Sequence, residues 1–138
     1  MKVLVDTNII LDVWMDRRPF VDESMVILGA AEQGRYEGYL CATTLTTLFY
    51  LGNKVLGAQT IHKELKKLLS IFGVSGVNRV VLEHALSSKM PDFEHAVLDE
   101  SGFIIGVDLI VTRNPKDFRK SKIRSMSPEE LIGLLKLR

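Results

Sequence analysis

Short apolar runs that read as β-strands alternate with helical patterns along the whole chain, and this alternation constrains the fold more than any other feature. Strands separated by helices pair in parallel through crossover connections, so the pattern implies an α/β chain: a three-layer α/β/α sandwich around a central, mainly parallel sheet. The first run, Lys2-Val3-Leu4-Val5, ends abruptly in Asp6-Thr7-Asn8, with Asn8 placed to cap a helix over Ile9–Met15. Further strands are expected at Glu37–Ala42, Ile71–Val74, Val107–Thr112 and Lys122–Met126. Helices are expected over Val21–Glu32, closed by Gly34; from Thr43 to about Leu51; around Ile61–Leu69; and after Asn78, carrying Val81, Leu82 and Ala85. Two more follow, from Pro91-Asp92 to about Ser101 and from the capping box Ser127-Pro128-Glu129-Glu130 through Leu135.

With 138 residues, 46% of them hydrophobic, the chain has enough apolar surface for one core, and a single domain over 1–138 is expected. No repeat, linker or low-complexity segment interrupts it. The formal charge of +1 neither requires nor excludes nucleic acid. The single cysteine, Cys41, lies in an apolar run and reads as a small buried hydrophobe in a reducing, cytoplasmic protein. There is no basic leader followed by an apolar stretch and no uncharged run of about 18 apolar residues, so neither a signal peptide nor a membrane segment is expected.

Parallel sheets bind ligands at the carboxyl ends of their strands, which makes Asp6 the first candidate for chemistry. The Val107–Thr112 strand discharges Arg113-Asn114-Pro115-Lys116-Asp117-Phe118 at the same edge, where Thr43–Thr47 and the helix start at Asp92 also gather. Crowded carboxylates repel, and a divalent cation relieves them; an oxygen-rich set favours Mg²⁺ or Mn²⁺, which beside a phosphate can generate a hydroxide nucleophile. Asp92, His95 and Asp99 share one helical face, so two carboxylates can flank the imidazole, itself a ligand for Mn²⁺ or a general base.

Each candidate also has a purely structural reading. Asp6 and Asp92 suit helix capping, which for Asp92 is compatible with a site role. His95 can be a satisfied imidazole, Thr43, Thr44 and Thr47 caps and packing residues, and Asn114 and Asp117 a turn before Phe118. Trp14 and Phe118 read as core. Arg113, Lys116, Arg119, Lys120, Lys122 and Arg124, with Asp117 the only acid among them, form either a solvated face or a phosphate-backbone footprint that Arg17 and Arg18 extend.

The Val-Asp-Thr-Asn start with Asp12 one helix on, the Thr-Leu-Thr-Thr-Leu-Phe-Tyr-Leu segment at 44–51, Pro-Asp-Phe-Glu-His-Ala at 91–96 and Ile-Val-Thr-Arg-Asn-Pro-Lys-Asp-Phe at 110–118 resemble, in this order, a PIN domain. The resemblance spans nearly the whole chain. It implies a metal-dependent endoribonuclease, similar to the VapC-type toxins that pair with an antitoxin protein. Of the family's four acidic positions it matches Asp6; the second falls at Thr47, the third on His95 between Asp92, Glu94 and Asp99, and the fourth on Asn114 near Asp117. The implied catalytic set is Asp6, Asp92 and His95, with Asp6, Asp92, Asp99 and Asp117 as ligands for Mg²⁺ or Mn²⁺. Substrate would be held by Asn8, Thr44, Thr47, Arg113, Asn114 and Lys116. Implied partners are RNA, a cognate antitoxin and a second copy in a homodimer, with no membrane. Two rival readings stand beside this one: a catalytically degenerate PIN domain that binds RNA or protein without cutting, and a phosphatase-like domain forming a phospho-aspartate on Asp6. The Asp-x-Asp pair of the latter is absent because position 8 is asparagine.

Overall fold

The two most apolar strand segments carry buried residues on both faces, the pattern of a parallel sheet covered by helices on both sides. In the computed structural model, which describes residues 1–137, strands β1 (Lys2–Val5), β2 (Glu37–Cys41), β3 (Gly73–Ser75), β4 (Leu109–Val111) and β5 (Arg124–Met126) form one sheet in the order β3-β2-β1-β4-β5. Every pairing is parallel. Seven α-helices accompany it: α1 (Thr7–Trp14), α2 (Val21–Glu32), α3 (Ala42–Leu56), α4 (Ala58–Ile71), α5 (Arg79–Leu86), α6 (Phe93–Ile104) and α7 (Pro128–Leu135). A short 3-10 turn, Pro115–Phe118, follows β4. The expected three-layer sandwich is what forms. The single domain expected over 1–138 includes Arg138, which lies outside the described residues.

Strand alternation divides the core in two. Val3, Val5, Leu109 and Val111 point to one side, where they meet Ile9 and Ile10 of α1, Ile27 of α2, Leu48 of α3, Leu68 of α4 and Leu131 of α7. Leu4, Cys41 and Ile110 point to the other and meet Val81 and Ala85 of α5 and Ala96, Val97 and Leu98 of α6. Cys41 is buried, and among the described residues no helix is long and apolar enough to cross a membrane.

Several boundaries differ from expectation. The first helix begins at Thr7, so Asp6 occupies the N-cap position while Asn8 lies inside the helix and accepts a hydrogen bond from Arg17 Nη1 at 3.2 Å. Helix α3 runs on past Leu51 to Leu56, where Gly57 at φ +82° ends it. The cause is packing at Gly52, where a Cβ would lie 2.5 Å from Ile61 Cδ1 and 2.9 Å from Trp14 Cζ3, so three helices meet across a missing side chain. Helix α4 then continues through Ile71 and delays β3 by two residues relative to the expected start. Helix α6 extends past Ser101 to Ile104.

β1 is central, with β2 on one side and β4 on the other, so the chain order reverses beside it. The crevice outside the carboxyl ends of β1 and β4 is therefore the switch point at which open α/β sheets bind ligands.

Helix α6 approaches the sheet at Gly102, where a Cβ would meet Val107 Cγ2 at 2.9 Å and Leu4 Cδ2 at 3.0 Å. Gly102→Leu is expected to cost about 1–3 kcal/mol in urea unfolding through overpacking. Gly133→Ala, with nothing within 4 Å of the added Cβ, is expected to be neutral or to gain up to about 1 kcal/mol in α7. Equal stability of Gly102→Leu and the parent would show that α6 does not rest on the sheet at this point.

Candidate functional site

Val5 of β1 pairs with Val111 of β4, which sets the next residues, Asp6 and Thr112, side by side at the switch point. The Asp6 backbone N–H donates to Val111 O at 3.0 Å, and the Thr112 hydroxyl donates to Asp6 Oδ2 at 2.9 Å. That hydroxyl is itself oriented by the Asn114 N–H, which donates to it at 3.2 Å. Asp6 is only 6% exposed, and burial pushes its carboxyl above the usual range. The Thr112 hydroxyl, the His95 ring, the Thr7 N–H and Arg113 pull in the other direction. His95 and Arg113 are thus its cationic or titratable neighbours. Beside them, the hydroxyls of Thr7 and Thr44 share a 2.9 Å hydrogen bond that ties the start of α1 to the start of α3. Thr47 lies half-buried on α3, one turn further along.

Arg113, expected to bind phosphate, is turned inward instead. Its Nε lies 2.7 Å from Oδ2 of Asp12, a fully buried carboxylate on α1, and its guanidinium sits 4.1 Å from the Phe20 ring centroid. Ser24 Oγ donates to the same Asp12 oxygen at 3.3 Å, and Arg17 Nη1 lies 3.7 Å from the other. Burial raises the Asp12 carboxyl, and Arg113, Ser24 and Arg17 oppose the rise. Asp12 was not among the candidate site residues, although an acid set between Leu11 and Val13 in an apolar helix signals that a cation must come from elsewhere.

The expected acidic face of α6 divides into separate tasks. Asp92 is the N-cap: its Oδ1 accepts the His95 N–H at 2.9 Å and lies 3.8 Å from His95 Nδ1. The His95 ring leans on Phe118 at a centroid distance of 4.7 Å. Asp99, expected as a metal ligand, is buried and accepts from Ser121 Oγ and from the Lys122 N–H at 3.0 Å, so it anchors the loop before β5. Its neighbour Glu100, a buried acid the sequence reading did not single out, holds Lys122 Nζ at 3.0 Å and faces His84 Nδ1 at 3.7 Å. Asn114 and Asp117 are exposed and shape the 3-10 turn, where the Asp117 N–H donates to Asn114 O at 3.0 Å. Asp117 and Lys116 line a cleft with Asp92 and His95.

A family model described as a PIN domain matches residues 2–116. The chain belongs to the PIN domain family. No curated protein matches it. Among solved structures this PIN domain is similar to a chain in a toxin–antitoxin complex from Klebsiella pneumoniae, with 20% identity over 91% of this chain and 97% of that one and a TM-score of 0.68. It is also similar to a chain of VapBC2 from Rickettsia felis bound to a DNA fragment from its promoter, with 14% identity, 92% and 98% coverage and a TM-score of 0.70. A chain of DNA-bound VapBC from Salmonella typhimurium gives 15% identity, 93% and 98% coverage and a TM-score of 0.68. At these identities the likeness is one of fold.

The residues of this PIN domain do not fit a preformed Mg²⁺ centre. Among the described residues no three His, Cys, Asp or Glu side chains group as a metal site. Asp99 is committed to the loop, Asp92 caps α6, and one Asp6 oxygen takes the Thr112 hydroxyl. What remains beside Asp6 is an imidazole, whereas a hard cation requires several oxygens.

Two outcomes follow from this geometry. Because burial raises the Asp6 carboxyl, the folded chain keeps a proton there that the unfolded chain releases, and stability is lost as pH rises from about 4. Asp6→Asn keeps an oxygen for Thr112 but no charge, so it is expected to melt above the parent near pH 7, the gap closing toward pH 4; a pH-independent gap would contradict the burial cost. Arg113→Ala, which strands the Asp12 carboxylate in the core, is expected to cost about 3–5 kcal/mol in denaturant unfolding. A loss below about 1 kcal/mol would show that the pair is not buried in solution.

Proposed function

We propose that this PIN domain is the RNA-directed, toxin-like member of a cytoplasmic toxin–antitoxin pair, and that it holds RNA at the Asp6 edge without efficient metal-dependent cleavage. The observation that carries this reading is the composition of that edge among the described residues: one buried carboxylate with a histidine, no grouped metal ligands, and a rim of cations at Lys116, Arg119 and Lys120 that make no ion pair. Local positive charge beside a centre with a single carboxylate suits a phosphate backbone, whereas a hard cation requires several oxygens. The solved toxin–antitoxin complexes with this fold support an antitoxin as protein partner. The same proposal takes a homodimer as the unit that binds it.

A second reading is favoured by the proximity of His95 to Asp6: a metal-dependent endoribonuclease that has exchanged a carboxylate for nitrogen and so prefers Mn²⁺ to Mg²⁺. Melting curves and cleavage of single-stranded RNA in each metal separate the two. A ligand present at 100 times its Kd stabilises a folded chain by about 2.7 kcal/mol, an easily measured shift. The binding reading expects no Mg²⁺ shift and no cleavage, together with a gain of Mg²⁺ stabilisation when Thr47→Glu and His95→Asp are combined. Cleavage that requires Mn²⁺ and vanishes in Asp6→Asn would establish the second reading, and strong cleavage by the parent in Mg²⁺ alone would sink the first.

A further inference from the structure

Between the connection from α5 to α6 and the Pro115–Phe118 turn lies a cleft of about 420 Å³, at whose rim stand Lys89, Lys116, Arg119 and Lys120. All four are exposed, and among the described residues none of them makes an ion pair. Two carboxylates, Asp92 and Asp117, face these four cations, and Asp92 is already engaged by the N-terminus of α6. In a chain of net charge +1 this is a concentrated positive field. The cleft reaches the Asp6 centre through His95, which lines the cleft and is also among the groups that act on the Asp6 carboxyl. Pro91 and the His95 ring, the latter backed by Phe118, give the cleft flat walls. A neighbouring depression shares Lys116 and Arg119 and continues to Arg124.

We propose that this cleft seats one unpaired nucleotide of RNA, with its flanking phosphates held by Lys89, Lys116, Arg119 and Lys120 and the strand continuing toward Arg124. The proposal rests on the RNA-directed reading above and names its binding register. The volume lies in the range of pockets that take ligands of nucleotide size. A base can enter it only when splayed out of a stack, as in single strands and loops, whereas an A-form duplex keeps its bases stacked inside. With Arg113 withdrawn onto Asp12, phosphate binding falls to these cations on the other side of His95.

The test is anisotropy of a labelled single-stranded RNA octamer across a salt series, with a duplex of the same sequence and poly-glutamate as competitors. The parent should bind the single strand more tightly than the duplex, with a log–log salt slope of roughly −0.7 per phosphate contacted. Lys89→Ala with Lys120→Ala should reduce that slope by about one to two units and weaken all sequences alike, since backbone contacts carry no sequence information. Arg35→Ala, which lies before β2 at the opposite end of the sheet and removes only an exposed hydrogen bond to Leu135 O, should change neither. If the parent binds RNA but the lysine pair leaves the slope unchanged, the cleft is not the path, while the RNA-directed reading stands. Duplex bound as tightly as single strand, or displacement by poly-glutamate at matched charge, overturns the nucleotide seat. Absence of RNA binding at low salt removes the underlying reading and the seat with it.

Discussion

The ion pair between Asp12 and Arg113 joins the first helix to the segment leaving β4, and the geometry of the whole edge depends on it. A fully buried carboxylate cannot stay charged without a partner, so α1 can dock on the sheet only where Arg113 reaches it from above the end of β4. Such a pair adds little net stability against an apolar replacement of the same shape, because desolvation offsets most of the attraction. Its effect is on register. It holds α1 over β1 and β4 while the Thr112 hydroxyl holds Asp6, so the two carboxylates have different hydrogen-bond partners.

This division accounts for the character of the centre. Arg113 supplies an internal positive charge near both acids, and Asp6 is further influenced by the Thr112 hydroxyl, the His95 ring and the Thr7 N–H. Burial raises the Asp6 carboxyl, and the other acids that could join it are engaged elsewhere, Asp92 at the start of α6 and Asp99 on the loop before β5. The cations that line the cleft lie outside, at Lys89 before α6, at Lys116 on the 3-10 turn and at Arg119 and Lys120 just after it, and Phe118 packing into the second core holds that turn. An interior in which each acid has its own partner and a positive rim are thus two consequences of one arrangement.

Much of the fold was legible because it is local or periodic. The caps at Asn78 and Ser127 are short-range and appear where the residue types require them, and the apolar runs of β1 and β4 report a sheet buried on both faces. Boundaries failed where tertiary packing outweighed local preference: the helix expected to end near Leu51 continues because the missing side chain of Gly52 lets Trp14 and Ile61 close over α3. The position of Asp6 at the carboxyl end of β1 was legible from strand polarity alone. The contacts of Arg113 and Asp99 were not legible, because a helical face or a loop position says where a side chain starts and not which distant group it meets. Their partners, Asp12 for one and the Ser121–Lys122 loop for the other, come from parts of the chain that sequence spacing does not connect.

Helix α6 shows why the spacing was nevertheless informative. Asp92 caps it, His95 one turn on faces Asp6, Asp99 and Glu100 a further turn on clamp Ser121 and Lys122, and Gly102 rests on the sheet. The same three-and-four repeat that would align metal ligands here aligns a cap, a centre-facing imidazole and a loop anchor. Because Asp99 and Glu100 are buried, their hydrogen bonds to the 121–122 segment form in a low dielectric and resist water, so the loop that carries Arg119 and Lys120 is tethered to a rigid element. Cations on a tethered loop lose less conformational freedom on binding a phosphate than cations on a free one. The acidic residues of α6 that do not gather around a metal thereby contribute to recognition indirectly, by holding the basic rim in place.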